Sequence, residues 1–353
     1  MKVKINHRVS CALIALCAMQ LTAIDIRAQT TKEKSVNQIV LEPGTQSFID
    51  AVSAQGGKPI YTLSYADARK VLENAQSGTI AKAPAEVEEK QLPVGPTGYV
   101  SVRIYRPVGH QGRLPVVMYF HGGGWVLGSA NTHDRLLREL ASETKAAFVF
   151  VNYTPSPEVQ FPVPIDQAYA ATKYITEHDK ELGLDGSRLA VAGDSVGGNM
   201  TAAVTLLAKQ NNGPKIRYQV LFYPVTDANF ENGSYTEFAN GPWLTKAAME
   251  WYWNAYAPKR EDRKKPTASP LLATAEQLKG LPPALVITDE NDVLRDEGEA
   301  YARKLIGAGV DVTAVRYLAT FHDFVMLDGL ADTPAAKSAI RLASEKLSAA
   351  LNR

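Results

Sequence analysis

Apolar residues along this chain fall into two repeating arrangements. Short runs with apolar residues on both faces mark strands covered on both sides. These are Leu114–Phe120, Ala147–Val151, Leu189–Ala192, Tyr218–Tyr223, Ala284–Thr288 and Val310–Tyr317. Between them lie segments of helical length: Asp134–Thr144, Ile165–His178, Val196–Gln210, Asp296–Ile306 and Pro334–Leu351. Strand–helix alternation of this kind predicts one α/β domain, a mostly parallel, doubly wound sheet with helices on both faces. Two stretches depart from it. Residues 29–95 have a mixed, helix-like pattern, clearest at Tyr65–Asn74 with Ser64 placed as an N-cap. Residues 227–269 interrupt the alternation with Trp243, Trp251, Trp253 and Tyr256. Both are expected to form a helical cap over the C-terminal edge of the sheet, and the α/β domain is expected to span 96–353.

Composition narrows the class. At 45% hydrophobic and 21% charged residues over 353 positions, the chain can bury a large core. The formal charge of +1 comes without a basic block, which argues against a nucleic-acid partner. Residues 1–28 have the form of an export signal. Lys2, Lys4 and Arg8 precede a mostly apolar stretch from Val9 to Ile24, and Ala28 offers a small residue for cleavage. The stretch is short for a membrane span and is interrupted by Gln20 and Thr22, so no stable membrane anchor is expected. Cleavage would remove both cysteines, Cys11 and Cys17, and leave 34 basic and 36 acidic side chains. The expected product is exported, periplasmic or secreted, without disulfides, thiolate metal sites or a cysteine nucleophile.

Candidate chemistry sits at the strand ends. Gly193-Asp194-Ser195-Val196-Gly197 follows one predicted strand and opens a helix, the context that a nucleophilic serine on a tight turn requires. The same turn leaves the Val196 N–H at a helix N-terminus, where an oxyanion would form. His121-Gly122-Gly123-Gly124-Trp125 follows another strand, and its glycines let backbone N–H groups approach a carbonyl. Gly123 and Gly124 are the expected donors, with Gly122 as the alternative; His121 is read as a structural hydrogen-bonder. A base must follow the serine in this fold, and only His322 does so. The acid should stand at another strand end, where Asp289, Asp292 and Asp296 compete, and the middle position, Asp292, is preferred. This arrangement predicts acyl transfer through a covalent intermediate, with neither metal nor organic cofactor.

The chain resembles the hormone-sensitive-lipase-like family of α/β-hydrolases, which includes many bacterial esterases, from about Tyr61 to the C-terminus. The resemblance rests on HGGGW at 121–125, Tyr153, Pro157-Glu158, Phe161-Pro162, GDSVGGN at 193–199 and DVLRDEG at 292–298. It implies Asp292 as the triad acid and Gly123, Gly124 and Val196 as oxyanion donors. The departures are Val196 in place of Ala, Val293 in place of Pro, and Asp323 in place of the Gly after the histidine; the last puts the operating pH in question. The expected substrate is a small ester with a short acyl chain or an aryl group. That expectation comes from the aromatic insertion and from Trp125 beside the oxyanion loop. Amide cleavage on the same fold, or a non-catalytic small-molecule binder, are the alternatives. Homodimerisation is left open.

Overall fold

The computed structural model describes residues 39–353; the expected export signal and both cysteines lie outside them. In chain order the strands are β1 (Ala85–Leu92), β2 (Val100–Pro107), β3 (Leu114–Phe120), β4 (Ala147–Asn152), β5 (Leu184–Asp194), β6 (Tyr218–Phe222), β7 (Ala284–Asn291) and β8 (Val312–Phe321). They form one sheet in the order β1-β2-β4-β3-β5-β6-β7-β8. The pairs β1–β2 and β2–β4 are antiparallel, and every later pair is parallel. All residues of β3 and of β6 are buried, as expected of strands covered on both faces.

The helices are α1 (Pro43–Gln55), α2 (Tyr65–Ala75), α3 (Asp134–Thr144), α4 (Val163–Glu177), α5 (Val196–Gln210), α6 (Gly233–Glu237), α7 (Lys246–Tyr256), α8 (Ala275–Leu278), α9 (Arg295–Gly307) and α10 (Pro334–Leu351). α3 and α10 pack together on one face of the sheet, and α4 and α5 pack together on the other. Local chemistry sets several boundaries. The Ser64 hydroxyl accepts from Asp67 N and starts α2, and Thr333 caps α10 with Pro334 in its first turn. Among the described residues no helix is long and apolar enough to cross a membrane.

The helix-like reading of 29–95 needs one correction. Its last third contains β1, an edge strand paired with β2 over its whole length. AEVEEKQL is mostly exposed because β1 has a neighbour on only one side, so it lacks the apolar run that marks an interior strand. The insertion after β6 contributes α6 and α7. Residues from α1 and α2, the loop between them and the α7 region line the walls of one cavity above the sheet's C-terminal edge.

Candidate active site

The turn between β5 and α5 holds Ser195 at φ 55°, ψ −120°, a conformation that costs a non-glycine residue on the order of 1–3 kcal/mol. The surrounding backbone offsets it: Ser195 N donates to Phe222 O at 2.9 Å, and Ser195 O accepts from Val225 N at 3.1 Å. The tightness of the turn explains Gly197. A Cβ there would stand 1.9 Å from the carbonyl oxygen of Phe120, at the end of β3. Ser195 is thereby pushed out of the sheet while remaining only 4% exposed.

Three strand ends meet at this point. His322, after β8, places Nε2 2.9 Å from Ser195 Oγ. Its Nδ1 lies 2.8 Å from Asp292 Oδ2, in the loop after β7. The other Asp292 oxygen accepts from Leu294 N at 3.0 Å, which restrains the carboxylate from its far side. The three competing aspartates therefore separate. Asp292 faces the imidazole. Asp296 accepts from Ser234 N at 2.8 Å and ties α6 to the start of α9. Asp289 is fully buried at the end of β7.

The glycine loop lies beside Ser195. Among the described residues none accepts from the N–H groups of Gly123, Gly124 or Val196, which leaves these three donors available. Gly122 is different: its N–H donates to Asp194 Oδ1 at 3.1 Å, so the sequence expectation that it could serve the oxyanion is corrected. Gly124 adopts φ 65°, and a Cβ there would overlap the Tyr252 ring at 2.2 Å. Only glycine fits between that ring and the loop.

Asp194 does more than stand beside the serine. Its carboxylate accepts from Tyr119 Oη at 2.8 Å as well as from Gly122 N, and its Oδ2 lies 3.3 Å from His133 Nε2. It links the serine turn to the glycine loop and to α3. Sequence reasoning missed His133 and Tyr119, because their roles depend on contacts across β3 and β5 that no local motif signals. His121 is buried, stacks on Tyr153 at 4.2 Å and lies 2.8 Å from Gly122 O. Burial, with His133 nearby, pushes its pKa down to about 3, so it is neutral and structural, as expected.

His322 is the opposite case. Burial works against its cationic form, but Asp292 and Asp323, with Asp194 further away, carry its pKa up to about 9. Asp323 Oδ1 lies 3.5 Å from His322 Nε2, and Oδ2 accepts from Trp243 Nε1 at 3.1 Å. A second carboxylate thus faces the ring nitrogen that serves Ser195. Among the described residues, one set of His, Cys, Asp or Glu atoms is close enough to share a metal ion: Asp289, Asp292 and His322. Two of its members are already bonded to each other.

Ser195 and His322 open into a cavity of about 660 Å³, within the usual range for a small-molecule site. Ile60, Leu72, Leu127, Trp243, Met249 and Tyr252 supply apolar wall. Trp125, though beside the oxyanion loop, does not line the cavity. It is fully buried and stacks on Tyr256 at 3.8 Å, anchoring the glycine loop to α7.

Comparison with known proteins gives a consistent result. Residues 117–326 match a family model described as the alpha/beta hydrolase fold. The chain is 39% identical over 240 residues to a carboxylesterase of Mycobacterium tuberculosis, covering 68% of this chain and 75% of that one. It is 34% identical to an ethyl acetate hydrolase of Pseudomonas putida, covering 82% and 93%. The crystal structure of a thermostable esterase from Pseudomonas putida ECU1011 superposes with a TM-score of 0.87 at 51% identity, over 88% of this chain and 98% of that one.

Proposed function

Since this chain belongs to the hormone-sensitive-lipase-like family of α/β-hydrolases and is a carboxylesterase-type hydrolase, we propose that Ser195, His322 and Asp292 carry its reaction on short-chain acyl or aryl esters. The observation that carries this reading is the continuous line from Ser195 Oγ through the imidazole to Asp292, at 2.9 and 2.8 Å, beside three N–H groups that have no acceptor among the described residues.

His322 Nε2 takes the proton from Ser195 Oγ as the oxygen bonds to the ester carbonyl carbon. Asp292 holds the Nδ1–H tautomer and stabilises the imidazolium. Gly123, Gly124 and Val196 donate to the tetrahedral oxyanion, each contributing about 3 kcal/mol of barrier lowering. The carbonyl carbon–alkoxy oxygen bond breaks, the alcohol leaves with the proton from His322, and an acyl-Ser195 remains. Water, deprotonated by the same imidazole, then attacks the acyl carbon; the acid departs and Ser195 Oγ regains its proton. Every step uses the same three side chains.

Substrate size is a separate inference. The Tyr252 ring closes directly on Gly124, which narrows the space nearest the reacting carbonyl, and the rest of the wall is apolar. A relative that is an ethyl acetate hydrolase supports the short-acyl reading. Rates across a series of p-nitrophenyl esters should peak at short chains; a maximum at long chains would refute this. The triad reading is tested by an organophosphate probe and intact-protein mass. One adduct is expected, on Ser195, and it should be absent from Ser195→Ala. Export is part of the same proposal, supported by the basic and apolar pattern of residues 1–28. Protein recovered outside the cytoplasm should begin near Gln29.

A further inference from the structure

Asp289 has no role in the reaction as described, yet it lies against the groups that perform it. It lies near the end of β7, fully excluded from solvent, and among the described residues neither of its carboxylate oxygens has a hydrogen-bond partner. A carboxylate oxygen of Asp289, one of Asp292 and a ring nitrogen of His322 all lie within 4.8 Å of one another. An ionised Asp289 would place a second buried anion beside Asp292 with no donor to stabilise it, a state that buried carboxyls avoid by taking up a proton. The neighbouring groups add to this pressure. Asp292 and Asp323 are the carboxyl groups acting on it most, and both oppose its ionisation. Tyr223, after β6, contributes a buried hydroxyl that among the described residues has no hydrogen-bond partner. Glu297 on α9 and Asp194 at the end of β5 add further buried acidic groups near the triad, and His322 lies among them.

A neutral Asp289 carries an O–H that needs an acceptor, and the Asp292 carboxylate is within reach of a small side-chain rotation. Asp292 gives one oxygen to His322 and the other to Leu294 N, so lone pairs remain to accept from a third donor. We propose that Asp289 is a positioning residue of the ester-hydrolysing site, a neutral carboxylic acid whose O–H donates to the triad carboxylate of Asp292. The proposal rests on the triad reading above. Burial, and Asp292 after it, push the Asp289 pKa well above the ordinary carboxyl range. The bond fixes the Asp292 carboxylate from behind and draws off part of its charge, so it moderates how strongly Asp292 raises the basicity of His322.

The ionisation state of Asp289 predicts opposite shifts in the acid limb of kcat/KM. Asp289→Asn is neutral, keeps a donor toward Asp292, and should leave the limb where the wild type has it. Asp289→Ala removes the donor, restores full charge density to Asp292 and should move the limb up by about half a unit. An ionised Asp289 would instead raise the His322 pKa itself, and both variants would then lower the limb, by about one unit or more. Any fall in either variant, or no movement in Asp289→Ala, overturns the proposal. Should Asp289→Ala fail to fold, infrared difference spectra of wild type against Asp289→Asn decide the matter. A protonated-carboxyl band present in the wild type and absent from the variant is expected, and its absence from both overturns the assignment. Ser195→Ala and Asp292→Asn run alongside: full turnover in either would sink the triad reading, whichever way Asp289 behaves.

Discussion

Replacing Asp323 with Asn changes one charge at the nitrogen that does the chemistry while keeping an oxygen for Trp243 to bond. In the wild type, Asp323 Oδ1 stands 3.5 Å from His322 Nε2. Two opposite charges at that separation attract by about 5 kcal/mol at an effective dielectric constant of about 20, equivalent to roughly three and a half pKa units. The full amount is not available. The Asp323 side chain is 14% exposed, so solvent screens part of the attraction, and burial raises its own pKa. A fall of one to two units in the His322 pKa, on the order of what a neighbouring carboxylate ordinarily supplies, is the expected result. A pKa of about 9 leaves most His322 protonated at neutral pH, where it cannot accept the Ser195 proton. Lowering it frees the base at lower pH, so the acid limb of kcat/KM moves down with it. For each unit of fall, kcat/KM at neutral pH should rise about tenfold. The assay is initial rates on p-nitrophenyl acetate from neutral to alkaline pH, for wild type and Asp323→Asn, with Asp323→Gly as a second variant. An acid limb that stays in place, or moves up, would refute the electrostatic account of this site.

Other positions give sharper structural outcomes. Gly124→Ala sets a methyl against Tyr252 in a left-handed backbone conformation; it should displace one oxyanion donor and lower kcat by about 10²–10³-fold. A variant with near-normal kcat would place the donors elsewhere. Arg135 is completely buried and donates to Asp328, Glu139 and the carbonyls of Val325 and Met326, just beyond His322. Arg135→Met should lose about 3–5 kcal/mol in urea unfolding by leaving those acceptors unpaired. A loss below about 1 kcal/mol would mean that the loop carrying His322 is held by other contacts.

Much of the framework was written in local pattern. The limits of α3, α5 and α10 agree with the helices expected from sequence alone, and Ser64 caps α2 as anticipated. The parallel strands β3 to β7 were legible because their faces are largely buried, which leaves a mostly apolar run; β2, also paired on both sides, was not expected, since Ser101, Arg103 and Arg106 break such a run. Nor was β1, because an edge strand needs no such run and its alternation of charge also suits a helix. β8 begins two residues later than the apolar stretch Val310–Tyr317 suggested. Val310 packs into the small core beside Leu305 rather than joining the strand.

The order and spacing of residues along the chain determined that a serine, an acid and a histidine would stand at the ends of three strands, since a parallel sheet brings all those ends to one edge. Which of three aspartates faces the imidazole, which glycine keeps its N–H free and which tryptophan lines the cavity were settled only in three dimensions. Each choice turns on a contact between segments far apart in sequence: Asp292 with His322, Gly122 with Asp194, Trp125 with Tyr256. Short-range pattern records how a segment folds against water, and carries little of what packs against it from across the sheet.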